Sequence, residues 1–273
     1  MSTIRTVGRS AGVLGAVGAV VLVATPATAD NHTATVSVLH GVPGTPVDVY
    51  ANGERLIDDF QPGTLTDPLE LPGGSYDLAL YPADAADDSG DPLLSADGVD
   101  VPAGANATVV AHLTEGGEPA LTPFVNETGS VPAGQARVTV RHVAAAPAVD
   151  VRAGGEPVIQ GLTNPNEETL TVPAGTVNAD VVLAGTDTVA IGPADLSLTE
   201  GSTTIVYAWG SEDAGFELAV QSISGQQSAP SGVPGGTAGL ADESGLPLPV
   251  GAAVVAGLAL AGAGAVRMAR ASR

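Results

Sequence analysis

ATVSVLHGVPGTPVDVYANGE, residues 34–54, recurs 102 positions later as ARVTVRHVAAAPAVDVRAGGE, residues 136–156. Each copy has a Val-x-Val opening, a histidine, a loop ending in proline, the tripeptide Val-Asp-Val, and a Gly-Glu turn. His40 corresponds to His142, Asp48 to Asp150 and Gly53 to Gly155. A fixed period of this length marks two tandem copies of one structural unit.

Within the copies the apolar residues alternate. Val36 and Val38 alternate with Thr35 and Ser37, and Val47 and Val49 with Asp48 and Tyr50, the two-residue period of strands. Asn52-Gly53 is a hairpin turn signal. Leu71-Pro72-Gly73-Gly74 is a further turn, with Tyr76, Leu78 and Leu80 on one face of the strand after it. Val99–Val101, Thr108–Leu113 and Ala120–Val125 supply more strands. The second copy keeps the plan: Val172-Pro173-Ala174-Gly175 matches the Leu71 turn, and Ile205–Trp209 matches Thr108–His112. Seven or eight short strands per copy predict two β-sandwiches, residues 34–125 and 136–223, joined by a linker at 126–135.

Composition agrees with an all-β chain. Among 273 residues, 36 are Gly and 21 Pro, and aromatics make up only 3%. With no cysteine, disulfides and thiolate metal sites are excluded. All 30 acidic residues lie between Asp30 and Glu243, against four arginines there, so that region carries a net charge of −26. Such a surface repels nucleic acid and anionic lipid, keeps the protein soluble, and attracts cations.

The ends read as sorting and anchoring segments. Arg5 and Arg9, the apolar run 11–24 and the small-x-small site Ala27-Thr28-Ala29 predict a cleaved signal peptide at 1–29. Residues 224–245 have the composition of a flexible stalk. Residues 246–266 carry no charge and are long enough for a transmembrane helix. Arg267, Arg270 and Arg273 follow and predict a cytoplasmic tail at 267–273, with the repeats outside the cell.

These motifs resemble the domain-of-unknown-function 4397 family of bacterial and archaeal surface proteins. The likeness is carried by Val38-Leu39-His40, Pro46–Tyr50, Asn52-Gly53 and Leu71–Tyr76, and in the second copy by Val140-Arg141-His142, Ala148–Val151 and Val172–Gly175. The resemblance implies a secreted, repeated immunoglobulin- or transthyretin-like sandwich and brings no established activity.

The recurring ionisable residues, His40 with Asp48 and His142 with Asp150, are the candidate binding positions. A His–Asp pair is also the arrangement of a general base and its orienting carboxylate. Strand phase opposes that use. His40 continues the core face of Val36 and Val38, while Asp48 lies between two core valines and points to the other side. The expectation is a histidine bonded to backbone and an aspartate that closes a turn or, in the second copy, pairs with Arg152. Asp84, Asp87, Asp88 and Asp91 form an acidic loop of hard oxygen donors that could take calcium, without EF-hand spacing and without a counterpart in the second copy.

The reading is therefore an exported, membrane-anchored surface protein with two non-catalytic sandwiches acting in binding, adhesion or envelope spacing. No cofactor is expected. The expected partners are the membrane, through the C-terminal helix, and a cell-envelope glycan or protein, with a divalent cation at the acidic loop and no nucleic acid. The alternative is a surface enzyme or sensor with its site on the repeated His/Asp positions or between the repeats.

Overall fold

The alternation in each copy folds into strands throughout. The computed structural model describes residues 33–85, 88 and 90–228. The expected signal peptide, most of the expected stalk, the apolar span at 246–266, the tail and Asp87 lie outside them. Among the described residues no helix is long and apolar enough to cross a membrane.

The first repeat has eight strands: β1 (Thr33–His40), β2 (Val47–Ala51), β3 (Glu54–Phe60), β4 (Leu69–Pro72), β5 (Gly74–Pro82), β6 (Leu94–Val101), β7 (Asn106–Leu113) and β8 (Pro119–Val125). The second has eight in the same order: β9 (Gln135–Ala145), β10 (Val149–Ala153), β11 (Glu156–Leu162), β12 (Glu167–Pro173), β13 (Gly175–Leu183), β14 (Val189–Leu198), β15 (Thr203–Ser211) and β16 (Gly215–Ile223). Each repeat forms two four-stranded sheets. Their orders are β4-β1-β7-β8 and β3-β2-β5-β6 in the first, and β12-β9-β15-β16 and β11-β10-β13-β14 in the second. All neighbours are antiparallel except β1 with β7 and β9 with β15, which run parallel.

Turn chemistry fixes the register. The β2–β3 hairpin needs positive φ at both central residues, and Asn52 (52°) and Gly53 (78°) supply it. In the second copy Gly154 (60°) and Gly155 (86°) make the same turn, which explains why Gly-Gly can stand for Asn-Gly. The β5–β6 connection spans residues 83–93 and its counterpart only 184–188. The extra length is the acidic loop.

Each sandwich has its own core. In the first, Val36, Val38, Val49 and Leu80 are buried between the sheets, and in the second Val138, Val140, Val151 and Val181. A third core lies between the repeats. Leu39, Val110 and Phe124 of the first pack with Val143, Ile205, Tyr207, Trp209 and Ala219 of the second. The β4-β1-β7-β8 sheet thus stacks face to face on the β12-β9-β15-β16 sheet, giving four sheet layers. That is why β1 and β15 are buried on both faces rather than alternately.

The segments around this stack are docked onto it. In the linker, Val131 is buried and forms a bridge with Gln227. Ser224–Ser228, which open the expected stalk, lie against the second repeat. The Gln226 N–H donates to the Gly201 carbonyl (2.9 Å), and the Thr203 hydroxyl donates to Gln226 Oε1 (2.6 Å).

Candidate functional site

The four repeated candidates fall into two equivalent pairs, and neither pair comes together. His40 ends β1 and Asp48 is in β2, which belongs to the opposite sheet of the sandwich. His142 and Asp150 are separated in the same way by β9 and β10. The expected separation of the side chains holds, but its cause differs: two sheets divide them, not two faces of one sheet.

The histidines are interior scaffold. Nε2 of His40 donates to the Thr45 carbonyl (3.1 Å), and Nδ1 accepts from the Val42 N–H (3.4 Å). His142 repeats the arrangement with Pro147 (2.9 Å) and Ala144 (3.4 Å). Each ring ties the proline-ending loop after its strand back onto the strand end. His40 also rests against Phe60, with ring centroids 5.7 Å apart. A third buried histidine, His112 on β7, donates from Nδ1 to the Leu113 carbonyl (2.9 Å) and accepts at Nε2 from the Thr122 hydroxyl (2.8 Å). Burial lowers the pKa of all three below the usual histidine value, and the charge of His142 lowers that of His112 further. In His40 and His142 one nitrogen already faces a backbone N–H, so a second ring proton would meet another donor.

The aspartates hold the backbone of the neighbouring strand and, in the second copy, a turn as well. Asp48 is fully buried; its Oδ1 accepts from the Asp59 N–H (2.9 Å) and its Oδ2 from Arg55 (3.0 Å). Asp150 accepts from the Gly161 N–H (2.7 Å) and the Gly185 N–H (2.9 Å). Those two donors, Gly185 first, hold its carboxyl below the usual range. Of the two expected roles for Asp150, closing a turn or pairing with Arg152, the structure has the turn, through Gly185; Arg152 is paired elsewhere. It pairs with Asp180 (2.6 and 2.9 Å) and Asp187 (3.1 Å). The reason is register: Arg152 lies directly opposite Asp180 across β10 and β13.

Among the described residues no group of three or more His, Asp or Glu side chains converges as a metal site. Asp84, Asp88 and Asp91 are exposed, and Asp87 lies outside the described residues.

The most concentrated polar chemistry lies between the repeats, a region the sequence reading held as an alternative site without naming a residue in it. Arg141 is almost wholly buried. Its guanidinium bonds Glu167 (2.6 Å), the Tyr207 hydroxyl (2.8 Å) and Asn126 Oδ1 (2.9 Å), and lies 4.4 Å over the Phe124 ring. Gln221 Oε1 accepts from both the Tyr207 hydroxyl (2.6 Å) and the Thr108 hydroxyl (3.0 Å). Asn164 Nδ2 spans the repeats by donating to the Leu113 and Ala144 carbonyls (2.8 and 2.6 Å). Each charged or amide side chain in this set has at least one partner, and such a network orients the two surfaces against each other. It also settles one sequence motif. Asn126, in an Asn-x-Thr triplet, is buried with Nδ2 bonded to Asn106 (2.6 Å) and Thr108 (3.0 Å), so the folded chain offers no acceptor there.

Residues 34–152 match the family described as "Domain of unknown function (DUF4397)". No curated protein matches the chain. Among solved structures the chain is similar to the Bacillus anthracis TIE protein, at 10% identity and a TM-score of 0.22. That match covers 68% of this chain and 34% of the other, so the chain spans about a third of that protein's length. It is also similar to a putative cell adhesion protein from Bacteroides uniformis, at 10% identity and a TM-score of 0.19 over 71% of this chain and 99% of that one.

Proposed function

We propose that this chain, which belongs to the domain-of-unknown-function 4397 family through residues 34–152, is an exported, membrane-anchored surface protein. Its paired sandwiches serve as a non-catalytic module for binding, adhesion or spacing in the cell envelope. The observation that carries the non-catalytic reading is the use of the repeated ionisable residues. His40 and His142 are buried and bonded to loop backbone, and Asp48 and Asp150 bond backbone N–H groups of the neighbouring strand in the other sheet. Their recurrence is then explained by a fold built twice. Export and anchoring rest on the signal-like residues 1–29 and the uncharged span 246–266 with its arginine flank.

Protease added to intact cells, followed by immunoblotting for tags placed after Ala29 and after Arg273, tests the placement. The expected result is loss of the first tag and protection of the second. Protection of both tags in intact cells and their joint loss on lysis would place the repeats inside. A screen of the same cells against peptidoglycan fragments and envelope glycans then separates a binding module from a spacer.

A further inference from the structure

We infer that the second sandwich holds an uncharged, unbranched aliphatic chain of about a dozen heavy atoms between its sheets. The two repeats provide the comparison. The interior of the first has a residual cavity of about 30 Å³, and the matching interior of the second has one of about 370 Å³. The walls correspond strand by strand, so the difference can be traced to side chains. Where the first repeat has Phe60, Tyr76, Leu78 and Leu80, the registers place Leu162, Val177, Ala179 and Val181. Leu56 and Leu71 likewise become Val158 and Val172, and only Val99 and Val101 gain a carbon, as Leu196 and Leu198. The net loss is about a dozen side-chain heavy atoms. At about 30 Å³ per water-sized group, the cavity has room for about as many.

The lining names the class of occupant. Of 21 lining residues, 18 are Ala, Val, Leu or Ile, and none is aromatic, so the walls favour aliphatic contact over ring stacking. The remaining three are Arg152, Asp180 and Asp195, and Arg152 is already paired with Asp180. No free positive charge is left there for an anionic head group, and both lining carboxylates are already bonded, Asp180 by Arg152 and Asp195 by Asn178, which leaves none for a cationic one, so the ligand is uncharged. The lining runs from Val158 on β11 to Val220 on β16, opposite edges of the sandwich, and both are about half exposed. Four strands at about 4.8 Å spacing make this slot about 14 Å across, which suits an extended chain better than a compact molecule. An unfilled apolar void costs stability in proportion to its volume, and one of this size would cost about as much as a domain's whole stability margin.

The test uses the full-length chain in cell suspension, irradiated with a dodecan-1-ol carrying an aliphatic diazirine. The chain is then recovered through a tag and its crosslinked peptides mapped by mass spectrometry. Crosslinks are expected in residues 175–198 at no less than tenfold the yield in the equivalent residues 74–101. Excess dodecan-1-ol should remove them, and sodium dodecanoate should compete at least tenfold less well. The double variant V177Y/A179L restores first-repeat residues and should lower the yield at least tenfold while retaining wild-type protease resistance. Should that variant lose protease resistance, Ala179→Leu alone is read instead, with a drop of about threefold expected. Equal labelling of the two repeats, or undiminished labelling in the folded filled variant, overturns the inference. Equal competition by dodecanoate overturns its uncharged character.

Discussion

Trp209, the chain's only tryptophan, is seated where the two repeats meet, and it allows their coupling to be measured. Its ring lies in a notch formed by two glycines of the first repeat. A Cβ on Gly63 would stand 2.8 Å from the ring, and one on Gly41 3.4 Å from the Trp209 Cβ. Trp209→Ala therefore empties a site closed on both sides and should cost about 3–5 kcal/mol. Trp209→Phe keeps most of the apolar contact. It also removes an indole N–H that has no hydrogen-bond partner, so its cost should stay under about 1.5 kcal/mol. Urea unfolding of residues 33–228, followed by far-ultraviolet circular dichroism, reads both variants. With a slope of about 3 kcal/mol per molar urea, the alanine variant's midpoint should fall by about 1 to 1.7 M. In the parent protein the tryptophan emission and the dichroism should change together, because the shared core makes the repeats one cooperative unit. An emission change completed before the dichroism begins to fall would mean that the interface opens on its own, and the four-layer stack would not be the unit that folds.

Three buried histidines with lowered pKa values set the response to mild acid. Above pH about 6.5 they are neutral in both states and stability is complete; below it the unfolded chain takes up protons that the native rings refuse. Stability should then fall by up to about 4 kcal/mol per pH unit until the folded pKa values are reached, and a urea midpoint unchanged between pH 7.5 and 5.5 would refute it. Asp48→Ala should cost about 2–3 kcal/mol, because it removes a fully buried carboxylate that accepts from the Asp59 N–H and Arg55, while Asp150→Ala, whose carboxylate is less buried and whose donors Gly161 and Gly185 are exposed, should cost about 1 kcal/mol by the same unfolding measurement. Equal losses would show that burial does not distinguish the two aspartates.

Much of the single repeat was legible in the sequence, because the signals that set it are local. Period-two alternation marked β1, β2 and β5, and Asn52-Gly53 marked a hairpin whose φ values match. What lay beyond local signals was the partner of each outer face. In β1, Leu39 stands among the polar side of the alternation, and only the second repeat explains its burial. Arg141, the residue at the equivalent position, entered the sequence reading only as part of the repeated motif and is the centre of the interface. The sequence left Asp150 between a turn and Arg152, because a cross-strand neighbour of Arg152 at Asp180 is set by register, which a short motif does not reveal. The cavity had left a trace, since Tyr76 against Val177 and Leu78 against Ala179 can be compared once the repeats are aligned. Finding it required reading the copies for their differences in size rather than for their likeness.

Those differences also explain why the two like sheets meet in a defined way. The positions facing across the interface are equivalent in register but not in chemistry: Leu39 corresponds to Arg141, Val110 to Tyr207, His112 to Trp209 and Phe124 to Gln221. The guanidinium of Arg141 lies over Phe124, and Gln221 accepts from Tyr207 of its own repeat and Thr108 of the other. A first-repeat sheet paired with its own copy would bring Phe124 to a surface without Arg141, and Thr108 to one without Gln221. The interface should accordingly resist being made uniform. Gln221→Phe installs the first repeat's residue in the second and leaves two buried hydroxyls, Tyr207 and Thr108, without their acceptor. At about 1–3 kcal/mol for a buried polar group left unpaired, and with the added ring to be housed, the loss should be at least about 2 kcal/mol. Adding Thr108→Val removes the hydroxyl that has lost its acceptor, while Asn126 Nδ2, which also donates to it, keeps its bond to Asn106 (2.6 Å), so part of the loss should be recovered. Urea midpoints for the single and double variants decide the matter. If Gln221→Phe is neutral, apolar contact alone holds the repeats together; if Thr108→Val worsens it, the Thr108–Gln221 bond is not what that position requires.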